Sequence, residues 1–400
     1  MYIILCSALL CISIQQNDAH VQMQERLQAH VYALAADSME GRGIGTRGLE
    51  KSAVYIRNSI DEISTESPMN RAAGDTFSGP DGTKLVNIGT LIPGSMKNIA
   101  RILVVAHYDH LGLTDPDSLG SRHVLNGAHD NASGVAAVLE AGRLLASRPH
   151  PLRRTVELRF FSGEEMGLLG SRHFMTSGAD VDSIYAVVNV DAVGHLEDGP
   201  LISIGLKARS ELSDIITGCA RDLDLDFVSS PHSYESGDHA PFLSAGIPGF
   251  QLTTGPHLLM NSPEDDAETV DFNGLSRIVE LIYAVVESLG TRDTVLDPPE
   301  PPHIVPRDSS RSRIRFGIVP SFVFSGPGVR AQSILPGSPA ERAGLLEGDI
   351  IHAVDFHVVD TLGDLAMALR TYEPGDTAQV RYVRDGTPQS AGVIFVERNQ

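Results

Sequence analysis

The residues best suited to chemistry lie in four short polar stretches, each just past an apolar run or at the lip of a helix. They read Ala106-His-Tyr-Asp-His-Leu-Gly112, Asn126-Gly-Ala-His-Asp-Asn-Ala-Ser-Gly134, Phe160-Phe-Ser-Gly-Glu-Glu-Met-Gly167 and Val188-Asn-Val-Asp-Ala-Val-Gly194. Carboxylates and imidazoles gathered at such places lose hydration, which is costly unless a positive charge compensates. No Lys or Arg is interleaved in these stretches, so a divalent cation is the simplest compensator. His107, Asp130 and Asp191 together offer one nitrogen and two carboxylates, a set that suits zinc. Asp130 can bridge to a second ion at roughly 3.5–4 Å, with Glu165 as a further ligand. Glu164 is then left as a general base toward a water that the metal activates. Each stretch alone is weak, since a His-x-Asp pair or a Glu-Glu pair is usually a solvated surface feature. Their order on successive strand ends carries the argument.

The elements that must position these residues are legible in the apolar pattern. Ile102-Leu-Val-Val-Ala106 is a strand, as are Val156–Phe161 and residues 186–190, and residues 134–147 have apolar positions at helical spacing. Strand, polar tip and helix in repetition predict an α/β fold, a mixed sheet flanked by helices, with its site at the carboxyl ends of the strands. Residues 22–66 read as mainly helical, interrupted at Gly41-Arg-Gly-Ile-Gly45, and residues 67–85 as a polar, turn-rich connection. Residues 292–312 are dense in Pro and then in Ser and charge, the composition of a linker. Residues 313–400 read as a small β-rich domain with one clear helix over 362–372.

Composition narrows the function. Four hundred residues, 42% of them apolar, suit two or three domains. A net charge of −20 argues against nucleic-acid binding and against docking on anionic lipid. The apolar run ending at Ile14 is too short to span a bilayer and has the length of a signal-peptide core. The expectation is a signal over residues 1–20, cleaved before Val21, and a secreted or periplasmic mature protein without a transmembrane span; the competing reading is a buried first helix. Cys6 and Cys11 fall in that run, which leaves Cys219 alone and no internal disulfide.

Residues 30–290, within a domain drawn at 21–291, resemble the M28 family of zinc peptidases, co-catalytic two-zinc aminopeptidases on a phosphorylase/hydrolase-like α/β fold. The resemblance rests on His107-Tyr-Asp109, His129-Asp-Asn-Ala-Ser-Gly134 and Gly163-Glu-Glu-Met-Gly167. Ser38-Met-Glu-Gly-Arg-Gly-Ile-Gly-Thr-Arg-Gly48, Asn87-Ile-Gly-Thr-Leu-Ile-Pro-Gly94 and Gly237-Asp-His-Ala-Pro-Phe242 support it. It implies that His107, Asp130 and Asp191 hold the first zinc, that Asp130 bridges, that Glu165 holds the second and that Glu164 is the base. It further implies that Asp109 orients His107, with Asp238 and His239 in support. The family's last ligand, a His, is replaced by Asn261, and Met260 stands where a Tyr is expected. An Asn carbonyl is a weaker zinc donor than imidazole. Three readings of the second site follow: it persists with Asn261 or a shifted His257, it is weak and leaves one zinc, or peptidase activity is lost. The complete first site and Glu164 favour retained hydrolysis with one or two Zn2+. An acidic rim without an Arg suits the free α-amino group of a peptide, hence a metallo-aminopeptidase acting on peptide or protein substrates. The alternatives are a metal-binding scaffold and a one-zinc glutaminyl-cyclase-like transferase; the absence of Trp counts against the second.

The C-terminal stretch resembles a PDZ domain of the bacterial protease-associated type, through Ile334-Leu-Pro-Gly-Ser-Pro-Ala-Glu-Arg-Ala-Gly-Leu-Leu-Glu-Gly-Asp-Ile-Ile351. The resemblance implies that Arg315, Phe316, Gly317 and Ile318 form a loop that takes a peptide C-terminus as an added strand. The competing reading is a domain that packs on the peptidase and binds nothing.

Overall fold

A computed structural model describes residues 2–114, 116, 120–178, 180–230, 237–299 and 314–397, with residues 2–17 described by backbone alone. An eight-stranded mixed sheet forms the centre of the first domain. Its strands are β1 (Ala73–Ser78), β2 (Lys84–Ile92), β3 (Arg101–His107), β6 (Val156–Phe161), β7 (Ile184–Val190), β8 (Leu201–Ile204), β9 (Phe227–Ser229) and β10 (Gly249–Thr253), while β4 (Gly112–Leu113) and β5 (Val124–Leu125) pair separately. The order across the sheet is β1-β2-β6-β3-β7-β10-β8-β9. The four middle strands, β6, β3, β7 and β10, are parallel; β2 joins β6, and β8 joins β10, in the antiparallel sense.

The middle strands read as unbroken apolar runs because both faces are covered. Alternate residues of β3 show this: Ile102, Val104 and Ala106 enter the larger core, while Leu103 and Val105 enter a second cluster with Phe161, Phe174, Val187 and Phe242. The larger core is capped by helices α1 (Tyr2–Leu34), α3 (Gly134–Ala146) and α7 (Phe272–Thr291). In α1 the buried residues Met23, Leu27, Val31 and Leu34 recur at three- and four-residue spacing, one stripe of a helix. Glu140 on α3 is fully buried and receives Arg26 Nε of α1 at 2.8 Å, so an ion pair fixes the two helices as well as apolar packing. The expected break after α1 is a short 3-10 segment, Asp37–Arg42, followed by α2 (Arg47–Glu66), whose first turn is capped by the Thr46 hydroxyl. Helices α4 (Leu169–Thr176), α5 (Glu211–Asp222) and α6 (Ala240–Ser244) complete the domain.

One element departs from the sequence reading. Residues 67–85 contain the edge strand β1, paired with β2 over its whole length. Its sequence, Ala-Gly-Asp-Thr-Phe-Ser, is polar and mostly solvent-facing, so its strand state comes from the β2 ladder and not from propensity.

The second domain comprises β11 (Ile314–Arg315), β12 (Ile318–Pro320), β13 (Val329–Ile334), β14 (Ile350–Val354), β15 (His357–Val358), β16 (Thr377–Arg384), β17 (Thr387–Ile394) and β18 (Val396–Glu397), with helices α8 (Pro339–Arg342) and α9 (Leu362–Leu369). It has its own core, which includes Phe316, Leu345, Ile351, Val380 and Phe395. The buried Asp349 of the Gly-Asp-Ile-Ile stretch takes a two-pronged ion pair from Arg384, at 2.7 Å on each oxygen. The expected carboxylate loop opens this domain: Arg315 is exposed on β11, Phe316 is buried against Phe395, and Ile318 begins β12. Gly317 has φ 93, and a Cβ there would lie 2.1 Å from that of Ser338, so the position admits glycine alone. Of the expected linker, residues 300–312 lie outside the described residues, and α7 ends at Thr291, one residue before it.

Candidate metal centre

The parallel strands deliver the site. His107 is the last residue of β3, Glu164 and Glu165 follow β6, and Asp191 follows β7, all at carboxyl ends. Asp130 arrives from the irregular turn over Ala128–Ser133 that leads into α3. Asn131 ties these pieces together. Its amide donates to the carbonyls of His107 (3.3 Å) and Val190 (3.0 Å), and its oxygen accepts from the N–H groups of Gly134 (3.0 Å) and Ala192 (3.1 Å). All four of its hydrogen-bonding positions are thereby used, on the ends of β3 and β7 and the start of α3.

Two groups of donors share Asp130. In the first, His107 Nε2 lies 3.3 Å from Asp130 Oδ1 and 3.1 Å from Asp191 Oδ1. In the second, His110 Nδ1 lies 3.1 Å from Glu165 Oε1 and 3.9 Å from Asp130 Oδ2. One carboxylate thus turns one oxygen to each group, and within each group the donor atoms lie within 4.8 Å of one another. Asn261, the expected last ligand, is exposed in a left-handed turn (φ 62); the imidazole that meets Asp130 and Glu165 is His110.

Asp109 differs from its expected role in a specific way. Its carboxylate is 3.9 Å from His107 Nδ1, too far for a hydrogen bond, and its backbone oxygen, 3.1 Å away, is the partner of that nitrogen. The fully buried carboxylate instead accepts the N–H groups of Gly163 (2.7 Å), Glu164 (3.1 Å) and Glu165 (3.3 Å). Asp109 therefore sets the loop that carries both glutamates.

The electrostatics fit a divalent cation. Burial and the neighbouring Glu165, Asp191 and Asp238 push the Glu164 carboxyl well above its usual range, against the pull of His107. Burial likewise raises Asp191, again against His107 and helped by Asp130 and Glu165. Burial works against a charged ring at His107, yet Asp191 and Asp130 outweigh it and hold its pKa well above the usual value. Asp238 is buried, and burial pushes its carboxyl up to about 7 against the pull of His107 and the Ser171 hydroxyl. A divalent ion replaces one proton on such a cluster with two charges, and the mixed nitrogen and carboxylate donors suit zinc.

A third group, His129, His195 and His257, lies beside this centre. Burial and mutual proximity hold His129 well below its usual pKa, and burial takes His257 down to about 4. Nδ1 of His129 accepts from Gly194 N–H (3.0 Å) and Nδ1 of His257 from Leu259 N–H (3.3 Å). The other nitrogen of each ring therefore carries the proton, and ligation through it requires an imidazolate, so this group is a poor cation site. His257 consequently belongs with His129 and His195.

The sequence reading passed over one functional residue. Arg42, 1% exposed, directs all five N–H groups at carbonyl oxygens: Nε to Tyr108 (3.0 Å), Nη1 to Leu34 and Asn126 (both 2.7 Å), and Nη2 to Gly127 (2.8 Å) and Asp130 (3.4 Å). Burial lowers its pKa to about 10. It joins the end of α1 to the two loops that carry His107, His110 and Asp130. The only signal in the sequence was an Arg between two glycines, Gly41-Arg-Gly43.

Comparison with known proteins agrees with this geometry. The profile of the family described as Peptidase family M28 matches residues 87–286, half of the chain, and that of the PDZ domain matches residues 306–394. A protein named probable leucine aminopeptidase from Trichophyton verrucosum is 28% identical over 254 residues, 60% of this chain and 64% of that protein. One of the same name from Arthroderma benhamiae is 26% identical over the same shares. The chain thus spans a little under two thirds of these curated relatives. Among solved structures, the zinc aminopeptidase BSAP from Bacillus subtilis shares the fold with TM-score 0.56 at 17% identity, over 68% of this chain and 96% of that one. A glutaminyl cyclase of an Acidobacteriales bacterium has TM-score 0.51 at 21% identity, over 66% of this chain and 94% of that one. With the family profile spanning half its length and these donors at the strand ends, the chain belongs to peptidase family M28.

Proposed function

We propose that this protein is a zinc-dependent aminopeptidase in which Glu164 is the general base. The observation that carries the reading is the convergence of His107, Asp130 and Asp191 beside the Glu164-Glu165 loop at the carboxyl ends of β3, β6 and β7. A bound zinc supplies Lewis acidity toward the scissile carbonyl and lowers the pKa of a water toward ~7. Glu164 would take a proton from the attacking water as its oxygen bonds to the carbonyl carbon, and would return that proton to the amine nitrogen as the C–N bond breaks. The surplus of carboxylates attracts the free α-amino group of a substrate. Arg42, buried beside these loops, has every N–H committed to a carbonyl, which leaves it unavailable to a substrate carboxylate and disfavours carboxypeptidase action. The aminopeptidase names of the sequence relatives support the same choice over cyclase chemistry.

The reading extends to the chain's ends. Residues 1–20 act as an export signal; Met23, Leu27, Val31 and Leu34, which pack into the core, and the Arg26–Glu140 pair all lie after it. No helix among the described residues is long and apolar enough to cross a membrane. Residues Arg315, Phe316, Gly317 and Ile318 receive a peptide C-terminus.

The test is a panel of aminoacyl p-nitroanilides, leucine included, with zinc analysis of the same preparation. Glu164→Gln retains zinc and loses roughly 10²–10⁴-fold in kcat. Full activity in that variant, or zinc-loaded protein that cleaves no member of the panel, overturns the reading.

A further inference from the structure

We infer that the second ion in this chain takes its imidazole ligand from His110, through Nδ1, and not from the position held by Asn261. The inference rests on the zinc-peptidase reading above and adds the identity of one ligand. Without a third donor, Asp130 and Glu165 offer a second ion oxygen ligands alone, a set that suits magnesium or calcium better than zinc.

The geometry around His110 is that of a ligand. Its ring nitrogen lies 3.1 Å from Glu165 Oε1 and 3.9 Å from Asp130 Oδ2. Ligand atoms at tetrahedral corners around zinc, with bonds near 2.0–2.1 Å, are roughly 3.3 Å apart. The 3.1 Å separation is slightly shorter than this and the 3.9 Å separation somewhat longer, so small shifts of opposite sense bring both to it. Asp130 turns the oxygen not used by His107 toward His110, as a bridging carboxylate must.

The seat of the ring is built for it. The His110 side chain is fully buried, and its backbone N–H is held by the Arg42 carbonyl at 3.2 Å. Gly127, at φ 56, lies under the ring; a Cβ there would come within 2.5 Å of His110 Cδ2. Nε2 of His110 is buried without a hydrogen-bond partner among the described residues, and the ring's side-chain hydrogen bond runs between Nδ1 and Glu165. Packing over Gly127 and that hydrogen bond thus aim Nδ1 at the space between Glu165 and Asp130.

The alternatives are weaker on the same grounds. Asn261 is exposed and offers a neutral oxygen. His257 has its Nδ1 lone pair on the Leu259 N–H and sits in the separate three-histidine group.

The test uses the full chain, stripped of metal by a chelator and titrated with Zn2+ by calorimetry, with bound metal counted by elemental analysis. Co2+ titration followed by visible absorption gives a second readout. Wild type binds two ions. His110→Ala and His110→Gln bind one, the remaining ion reporting an intact fold and first site, and Gln keeps most of the ring's volume. The second-site affinity falls by more than the roughly 10–100-fold that loss of an outer-shell partner costs. Asn261→Ala still binds two. Two ions in both His110 variants, one ion in Asn261→Ala, or one ion in wild type overturns the assignment. If wild type binds one ion and hydrolyses the nitroanilides, only the His110 assignment falls; if it binds none, the zinc-peptidase reading falls with it.

Discussion

Arg42 shows how much of the site is held by a residue that performs no chemistry. Its five hydrogen bonds reach carbonyls on three segments, two of which carry metal donors. Arg42→Ala leaves those carbonyls buried and unpaired, and hydrogen bonds from charged donors contribute about 1.5–3 kcal/mol each. The expected loss is at least about 3 kcal/mol in urea unfolding, together with weaker zinc binding. Arg42→Lys recovers part of this, since an ammonium has three donors and no planar fork. His239 yields a pH prediction. Burial alone depresses its pKa to about 3 from 6.5, so the folded protein resists the proton that the unfolded chain accepts. Its contribution is present above pH 6.5 and is lost as the pH falls below that value, at up to about 1.4 kcal/mol per pH unit. His239→Leu should flatten the decline of stability between pH 6.5 and 4.5 by about 2–3 kcal/mol, measured by urea unfolding at each pH. An unchanged slope would show that the ring is not the group responsible.

At the scale of elements, the loop after β6 is placed by an acid from the loop after β3. Asp109 accepts three consecutive N–H groups at residues 163–165 and thereby aims Glu164 and Glu165. Asp109→Asn keeps the shape but turns an amide donor toward backbone donors. We expect a fall of about 10–100-fold in kcat, with KM little changed and the fold retained by circular dichroism. Asn131 does for β3, β7 and α3 what Asp109 does for the glutamate loop; Asn131→Ala removes four buried hydrogen bonds at once and should cost more stability than Asp109→Asn.

Among the described residues the molecule has two separate cores, one around the eight-stranded sheet and one in residues 314–397, with no buried residue in common. Each has the apolar content of an independent folding unit. Calorimetry should therefore resolve two transitions. Gly317→Val, which drives a side chain into Ser338, should remove only the transition of the second domain and leave nitroanilide hydrolysis in place. Loss of both transitions together would show that the domains fold as one.

The sequence by itself determined the strands that end at His107, Phe161 and Val190, because a strand buried on both faces must be an unbroken apolar run. It also singled out His107, Asp130, Glu164, Glu165 and Asp191, because carboxylates left at such ends need a compensating charge. Tertiary structure alone decided what lies around them. That Arg42 holds two donor loops, that Asp109 binds the glutamate loop instead of His107, and that β1 is a strand all depend on partners distant along the chain. The same holds for the second group. His110 was visible in the first polar stretch, but its position beside Glu165 depends on the turn after β3, on Gly127 and on the Arg42 carbonyl, none of which leaves a periodic trace in the sequence.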